Sequence, residues 1–130
     1  MFAKITTIVL GVKDLKQATD FYVNGLKMSK MEWEGDITFI KLDNLILSLY
    51  EINNLAKDIG IKNTKGNGFS GITFAHNVSH KIKVDELYAK AIAAGATPIT
   101  APEKKEWGGY SAYFCDLDGY YWEIVFNPFF

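Results

Sequence analysis

The chain has 130 residues, enough for one domain with a sizeable core and too few for two ordinary ones. It is 48% hydrophobic and 22% charged, as globular proteins are, and its net charge of −1 advertises neither nucleic acid nor a membrane surface as partner. All fourteen basic residues are lysines, which excludes bidentate guanidinium recognition of carboxylates or phosphates, and the lone Cys115 excludes a disulfide framework or a thiolate metal cluster.

In chain order, "KITTIVLGV" (4–12) is β-branched and apolar, the composition of a strand. It is short of a membrane span, as is every apolar run in the chain, and it follows no basic n-region, so a cytoplasmic protein without a signal peptide is expected. A helix follows in "KDLKQATDFYVNGL". Asp14 is its N-cap, Gln17 completes a capping box, Leu15, Ala18, Phe21 and Tyr22 recur at helical spacing, and Gly25 supplies the stop. "MSKMEWEG" (28–35), "DITFIKL" (36–42) and, after the turn Asp43-Asn44, "LILSLYE" (45–51) read as strands. A Lys/Asn/Gly-rich connector holds a short helix in "NLAKDIGI" (54–61) and a flexible "NTKGNG" (63–68).

The order then repeats. "GITFAHNV" (71–78) is a strand, "HKIKVDELYAKAIAAGA" (80–96) a helix ended by Gly95, and "TPIT" (97–100) a short extended piece. "YSAYFCD" (110–116) and "YYWEIVF" (120–126) flank the turn Leu117-Asp118-Gly119. The two hairpins align at an offset of 75, which matches Asp43-Asn44 with Asp118-Gly119 and Ser48 with Glu123. The reading is one domain, 1–130, with a first β-α-β-β-β module over 1–52, a connector over 53–69 and a second module over 70–130.

"VLGVKDLKQATDFYVNGLKM", "IAAGATPI" and above all "WGGYSAYFCDLDGYYWEIVFNP" resemble the vicinal oxygen chelate superfamily, which includes glyoxalase I, bleomycin-resistance proteins, fosfomycin-resistance enzymes and extradiol dioxygenases. The resemblance covers nearly the whole chain, and its most specific piece is the D-x-D-G-x-x-x-E hairpin from Asp116 to Glu123. It implies an α+β fold in which two βαβββ modules form a cupped, partly open mixed sheet with helices on the outside. It also implies a metal or small ligand in the cup and, for many members, a homodimer.

In metal-using relatives a His or Gln on the first strand and a Glu on the last line the cup, once per module. The resemblance carries these positions onto Thr7 and Ser48 in the first module and onto Gly71 and Glu123 in the second. One carboxylate and two hydroxyls make a poor donor set for Zn, Ni, Mn or Fe. Strand alternation turns His76 away from that face and Glu51 away from Ser48, while His80 falls at the start of the helix. No cofactor is therefore expected, with a divalent metal anchored on Glu123 as the minority alternative.

On the last strand Tyr121, Glu123 and Val125 share one face. A two-residue turn would pair Phe114 with Glu123, whereas a three-residue turn with left-handed Gly119 pairs Tyr113 with Glu123. The resemblance favours the second and places Ser111 and Tyr113 on the cup face. The same logic in the first module turns Thr38, Ile40, Ile46, Ser48 and Tyr50 inward. Ten of the nineteen aromatics lie between Trp107 and Phe130, and "EWGGY" (106–110) forms either a rim on which Trp107 covers a planar ligand or a packing contact with the terminal "NPFF" or a dimer partner. Phe129 and Phe130 read as interface or core residues, and Cys115 as a small apolar strand residue.

The expected function is a small-molecule-binding protein of the glyoxalase/bleomycin-resistance type that takes a small aromatic or apolar ligand. Its ligand contacts are Thr7, Ser48, Tyr50, Trp107, Ser111, Tyr113 and Tyr121, and Glu123 is either a ligand-binding or a hydrogen-bonded structural acid. The alternative is a lyase or isomerase of glyoxalase I-like ancestry with Glu123 as base or metal anchor. A third reading leaves the face without a ligand and the fold serving assembly.

Overall fold

The computed structural model describes residues 2–64, 66 and 68–130, so the expected flexible connector over 63–68 lies partly outside the described residues at Lys65 and Asn67. The chain forms two compact units, 1–68 and 69–130, each built on its own four-stranded, open mixed sheet.

The first unit runs β1 (Thr7–Val12), α1 (Leu15–Asp20), β2 (Ser29–Lys30), β3 (Ile37–Lys41), β4 (Ile46–Glu51) and α2 (Ile52–Ile59), with sheet order β1-β4-β3-β2. β1 lies parallel to β4, as a strand-helix crossover requires, and the remaining pairs are antiparallel. Asp14 caps α1 by accepting a hydrogen bond from the Gln17 amide at 3.0 Å. The helix continues as a π-helical turn over Phe21–Gly25, whose first two residues are buried in edge-to-face contact with centroids 5.0 Å apart. The helical segment ends at Gly25, as expected, and the left-handed residue falls two positions later, at Lys27 with φ 60.

Under α1 lie Leu10, Val12, Ile40, Leu47 and Leu49, all buried, together with Thr38, whose hydroxyl meets that of Thr19 on α1 at 2.8 Å. Burying each large aliphatic side chain contributes about 1.5–3 kcal/mol. The expected strand over 28–35 is much shorter, because only Ser29 and Lys30 pair with β3 before one last bond from the Met31 amide to the Phe39 carbonyl.

The second unit repeats the plan: β5 (Thr73–Val78), α3 (Lys81–Ala93), β6 (Thr97–Lys104), β7 (Tyr110–Cys115) and β8 (Tyr121–Phe126), in order β5-β8-β7-β6. Gly95, at φ 110, ends α3 in a double bond pattern, its own amide to the Ile92 carbonyl and the Ala96 amide to the Ala91 carbonyl, both 3.0 Å. The core beneath α3 holds Val84, Ala91, Ala112, Phe114, Trp122 and Ile124. The Phe114 and Trp122 rings run parallel there, 6.3 Å apart. The Tyr110 hydroxyl donates to Asp85 on α3 at 2.7 Å, tying the start of β7 to the helix.

The extended piece expected at 97–100 is a strand twice that length, carried to Lys104 by two bulges. The two hairpins also differ. Leu42 and Leu45 close a two-residue loop over Asp43-Asn44, whereas Asp116 and Tyr120 close a three-residue loop in which Gly119 takes φ 86.

Candidate functional site

The side of each sheet away from α1 or α3 is set by strand alternation and register. In the second unit the long hairpin loop pairs Tyr113 with Glu123, Ser111 with Val125 and Cys115 with Tyr121, all on the side away from α3. The three-residue turn is held by Asp116, 3% exposed, whose carboxylate accepts from the Asp118 amide at 2.9 Å and the Tyr120 amide at 2.8 Å. This is the physical work of the D-x-D-G hairpin: it fixes the phase that sets Glu123 beside Tyr113.

The half-buried Glu123 carboxylate takes a hydrogen bond from the Tyr113 hydroxyl. Burial first, then that bond and the carboxylate's charge, push the Tyr113 phenol above its ordinary value, so at neutral pH it is a proton-bearing donor. Ser111 lies on the same face, fully buried, and its Oγ has no hydrogen-bond partner. Tyr121 is there too, in edge-to-face contact with Phe69 at 5.3 Å and bonded to Cys115. Burial and the neighbouring Asp116 charge raise the Cys115 thiol, against that bond, which leaves it a structural rather than a reactive cysteine.

In the first unit the face away from α1 carries Thr7, Val9 and Gly11 of β1 beside Ile46, Ser48 and Tyr50 of β4. Ser48 is fully buried and, like Ser111, has no hydrogen-bond partner. Thr38 and Ile40 are not on this face. Register pairs Ser48 with Phe39 and Tyr50 with Ile37, leaving Thr38 and Ile40 under α1. The 75-residue offset failed here because the first hairpin loop is one residue shorter, and a one-residue slip moves a strand's side chains to the other face.

The first-strand position of the second module also needs correction. Thr7 lies seven residues before the cap Asp14, and the same count back from the cap His80 reaches Thr73, whose β8 partner Tyr121 matches the Thr7 partner Ile46. Gly71 precedes β5 at φ 83 and lies in no strand. His76 stands opposite Ile124 on the α3 side, across the sheet from Glu123. The matching positions thus hold Thr7 and Ser48 in the first unit and Thr73 and Glu123 in the second, and neither pair suits a divalent transition metal. Among the described residues no three His, Cys, Asp or Glu side chains cluster.

Trp107 folds back onto its own loop, where a Cβ at Gly109 would collide with the indole, and Phe129 stands 3.6 Å from where Gly108 would carry one. The terminal "NPFF" therefore packs on this rim, with Trp107 still 48% exposed. Sequence reasoning missed Thr100, Glu103 and Lys105. The β6 bulges place Thr100 opposite Tyr113 and Glu103 opposite Ser111, and Lys105 pairs with Glu103 at 2.8 Å while its ammonium lies 5.8 Å from the centre of the Tyr113 ring. Pro98 and Pro102 were the available signal, since proline inside a strand marks an edge or a bulge.

Residues 4–124 match the family model of the Glyoxalase/Bleomycin resistance protein/Dioxygenase superfamily. No curated protein matches the chain. Among solved structures, a glyoxalase-related enzyme from Fulvimarina pelagi is 30% identical over 97% of this chain and 89% of its own, with a TM-score of 0.88. A glyoxalase/bleomycin resistance protein/dioxygenase family enzyme from Burkholderia phytofirmans PsJN shares the fold at 19% identity, with TM-score 0.85 and coverage of 95% and 98%. Lactoylglutathione lyase from Agrobacterium tumefaciens does so at 22% identity, with TM-score 0.72 and coverage of 98% and 96%.

Proposed function

Because the chain belongs to the Glyoxalase/Bleomycin resistance protein/Dioxygenase superfamily, we propose that it binds a small aromatic or apolar molecule on the face of the second sheet that carries Tyr113 and Glu123, without a complete metal site. The observation that carries this reading is the Tyr113–Glu123 pair itself: a half-buried carboxylate and a neutral phenol, set side by side by a turn built for that register. An aromatic wall, a carboxylate and buried hydroxyls offer apolar contact plus a few orienting polar groups, the usual makeup of a small-ligand site. Ser111 supports it, since a buried hydroxyl without a partner is costly unless something pairs with it. Trp107 and Tyr121 complete the proposed ligand contacts of this sheet; in the first unit, taken by itself, the proposed contacts are Thr7, Ser48 and Tyr50.

A second reading, a Glu-based lyase or isomerase, is favoured by the same pair, because a carboxylate hydrogen-bonded to a proton-bearing phenol can accept and return a proton. Saturable binding of small aromatic molecules, followed by NMR and weakened in Tyr113→Phe and Trp107→Ala, tests the binding reading. Silence toward every such molecule would sink it. Turnover that Glu123→Gln abolishes would establish the enzyme instead.

The reading includes a homodimer in the cytoplasm. The dimer is supported by fully or largely exposed apolar side chains at Phe2, Ile5, Phe69, Ile72 and Phe130. The single buried, unpaired cysteine fits a reducing compartment. Among the described residues no helix is long and apolar enough to cross a membrane.

A further inference from the structure

The β6 edge of the second sheet departs most from what its sequence dictates. Continued without interruption from the Pro98–Phe114 pair, β6 would set Ile99 and Ala101 on the Glu123 face. Two bulges set Thr100 and Glu103 there instead, opposite Tyr113 and Ser111. Bulges re-aim side chains in this way, often beside binding sites. Their effect is to replace two apolar contributions by a hydroxyl and a second carboxylate.

Lys105, the next residue but one, has its ammonium where these groups converge. It is 2.8 Å from the Glu103 carboxylate and 5.8 Å from the centre of the Tyr113 ring, and its side chain is 23% exposed while that of Glu103 is 55% exposed. Register places Glu103 and Glu123 on this face, and the ion pair and ring contact bring the Lys105 ammonium to it. Lift the lysine away and an aromatic face remains between two carboxylates, the recognition set for an organic cation. The resident lysine leaves one demand unmet: the Ser111 hydroxyl, buried and without a partner, directly across from Glu103.

We infer that Lys105 is a built-in stand-in for the cationic group of the ligand, and that the ligand is a small organic ammonium carried on an aromatic or apolar body. The ligand takes the ammonium position on Tyr113 and at Glu103, a further N–H or hydroxyl of it engages Ser111, and Lys105 swings into solvent. That swing costs little: Lys105 has a flexible stem, and its partner Glu103 is more than half exposed, so water and salt weaken the pair it breaks. The inference rests on the proposal that this face is a ligand site and says what charge that ligand carries.

The test is titration of the full chain by NMR and calorimetry with three probes of one shape: tyramine, the neutral 4-methylphenol and the anionic 4-hydroxyphenylacetate. Removing an internal competitor held by one half-exposed ion pair and one cation–π contact should tighten tyramine by about 5- to 30-fold in Lys105→Met. Lys105→Gln repeats the result with a polar side chain, and circular dichroism confirms that both fold. Glu103→Gln should weaken tyramine and leave 4-methylphenol unchanged. Equal or weaker tyramine binding in both Lys105 variants overturns the inference, as does tighter binding of the anion than of the amine. If 4-methylphenol binds as well as tyramine to every variant, the ligand site stands and the cationic assignment falls. If no probe binds any variant, both fall.

Discussion

Tyr113→Phe deletes one hydroxyl from the centre of the proposed site, so its effect isolates the bond to Glu123. A hydrogen bond to a charged group contributes about 1.5–3 kcal/mol when sheltered. Here both partners are half-buried and water replaces part of the loss, so about 1 kcal/mol is expected. With roughly 2.1 cal/mol/K of unfolding entropy per residue, that lowers Tm by about 4 °C in a chain of 130 residues. Glu123→Gln keeps an acceptor but removes the charge, so in that background Tyr113→Phe should cost about half as much. The pH dependence has a fixed sign. The phenol is held above its ordinary value in the folded state, so the fold binds this proton more tightly than the unfolded chain does. The contribution is complete below about pH 10 and is lost as pH rises through the folded-state value, and the wild type and Tyr113→Phe should converge there. Thermal denaturation across pH measures this. Phenolate absorbance supplies a second readout: Tyr113→Phe should lack one late-titrating tyrosine, and in Glu123→Gln that tyrosine should titrate earlier. Tyr110, raised chiefly by its bond to Asp85, stays late in both and serves as the internal control. An additive cycle with an unchanged late titration would refute the pairing and, with it, the reading of Glu123.

Three further substitutions test the frame around the site. Gly11→Ala places a Cβ 2.9 Å from Ile52 Cγ1 at the root of α2, a stiff β-branched atom rather than a free end, and should cost about 1–3 kcal/mol in urea denaturation; pairing it with Ile52→Ala should recover much of that. Asp116→Ala strips the buried carboxylate from the amides of Asp118 and Tyr120 and should cost about 2–4 kcal/mol, with amide exchange accelerated first in the 116–120 turn. Gly109→Ala should expel the Trp107 indole from its loop at little cost in stability, because the clash falls on the far end of an exposed side chain; altered Trp107 indole NMR signals with unchanged Tm would confirm it.

Most of the fold was legible because its signals are local. Asp14 before an apolar helical stripe, Gly95 after one, the β-branched run of β1 and the apolar run of β4 each dictate their element directly. The Tyr113–Glu123 pairing was legible only through the family resemblance, because Gly119 suits a two-residue Asp-Gly turn as well as the three-residue loop that forms. What failed were residues whose placement depends on a count rather than a composition. Thr38 and Ile40 were assigned through an offset that one loop residue invalidates. Thr100, Glu103 and Lys105 were invisible because no periodicity survives two bulges. "MSKMEWEG" reads as a strand by alternation, yet only Ser29 and Lys30 pair, and the segment turns aside so that Trp33 can meet Phe39 edge-on at 5.4 Å.

The same one-residue difference between the two hairpins explains why the chemistry collects in one half. In the second unit the three-residue loop turns Ser111, Tyr113 and Cys115 toward Glu123. In the first, the two-residue loop turns Ile37, Phe39 and Lys41 toward Ser48, and the position that matches Glu123 is itself a serine. A carboxylate at position 48 would lie fully buried between Val9 and Phe39, with no tyrosine hydroxyl opposite to receive it. Such a charge costs several kcal/mol, so the serine is the residue this register tolerates. Introducing an acid there with Ser48→Glu should therefore destabilise the protein rather than build a second site. Converting Phe39 to Tyr at the same time should return part of the loss, by supplying across the strand the donor that Tyr113 supplies to Glu123.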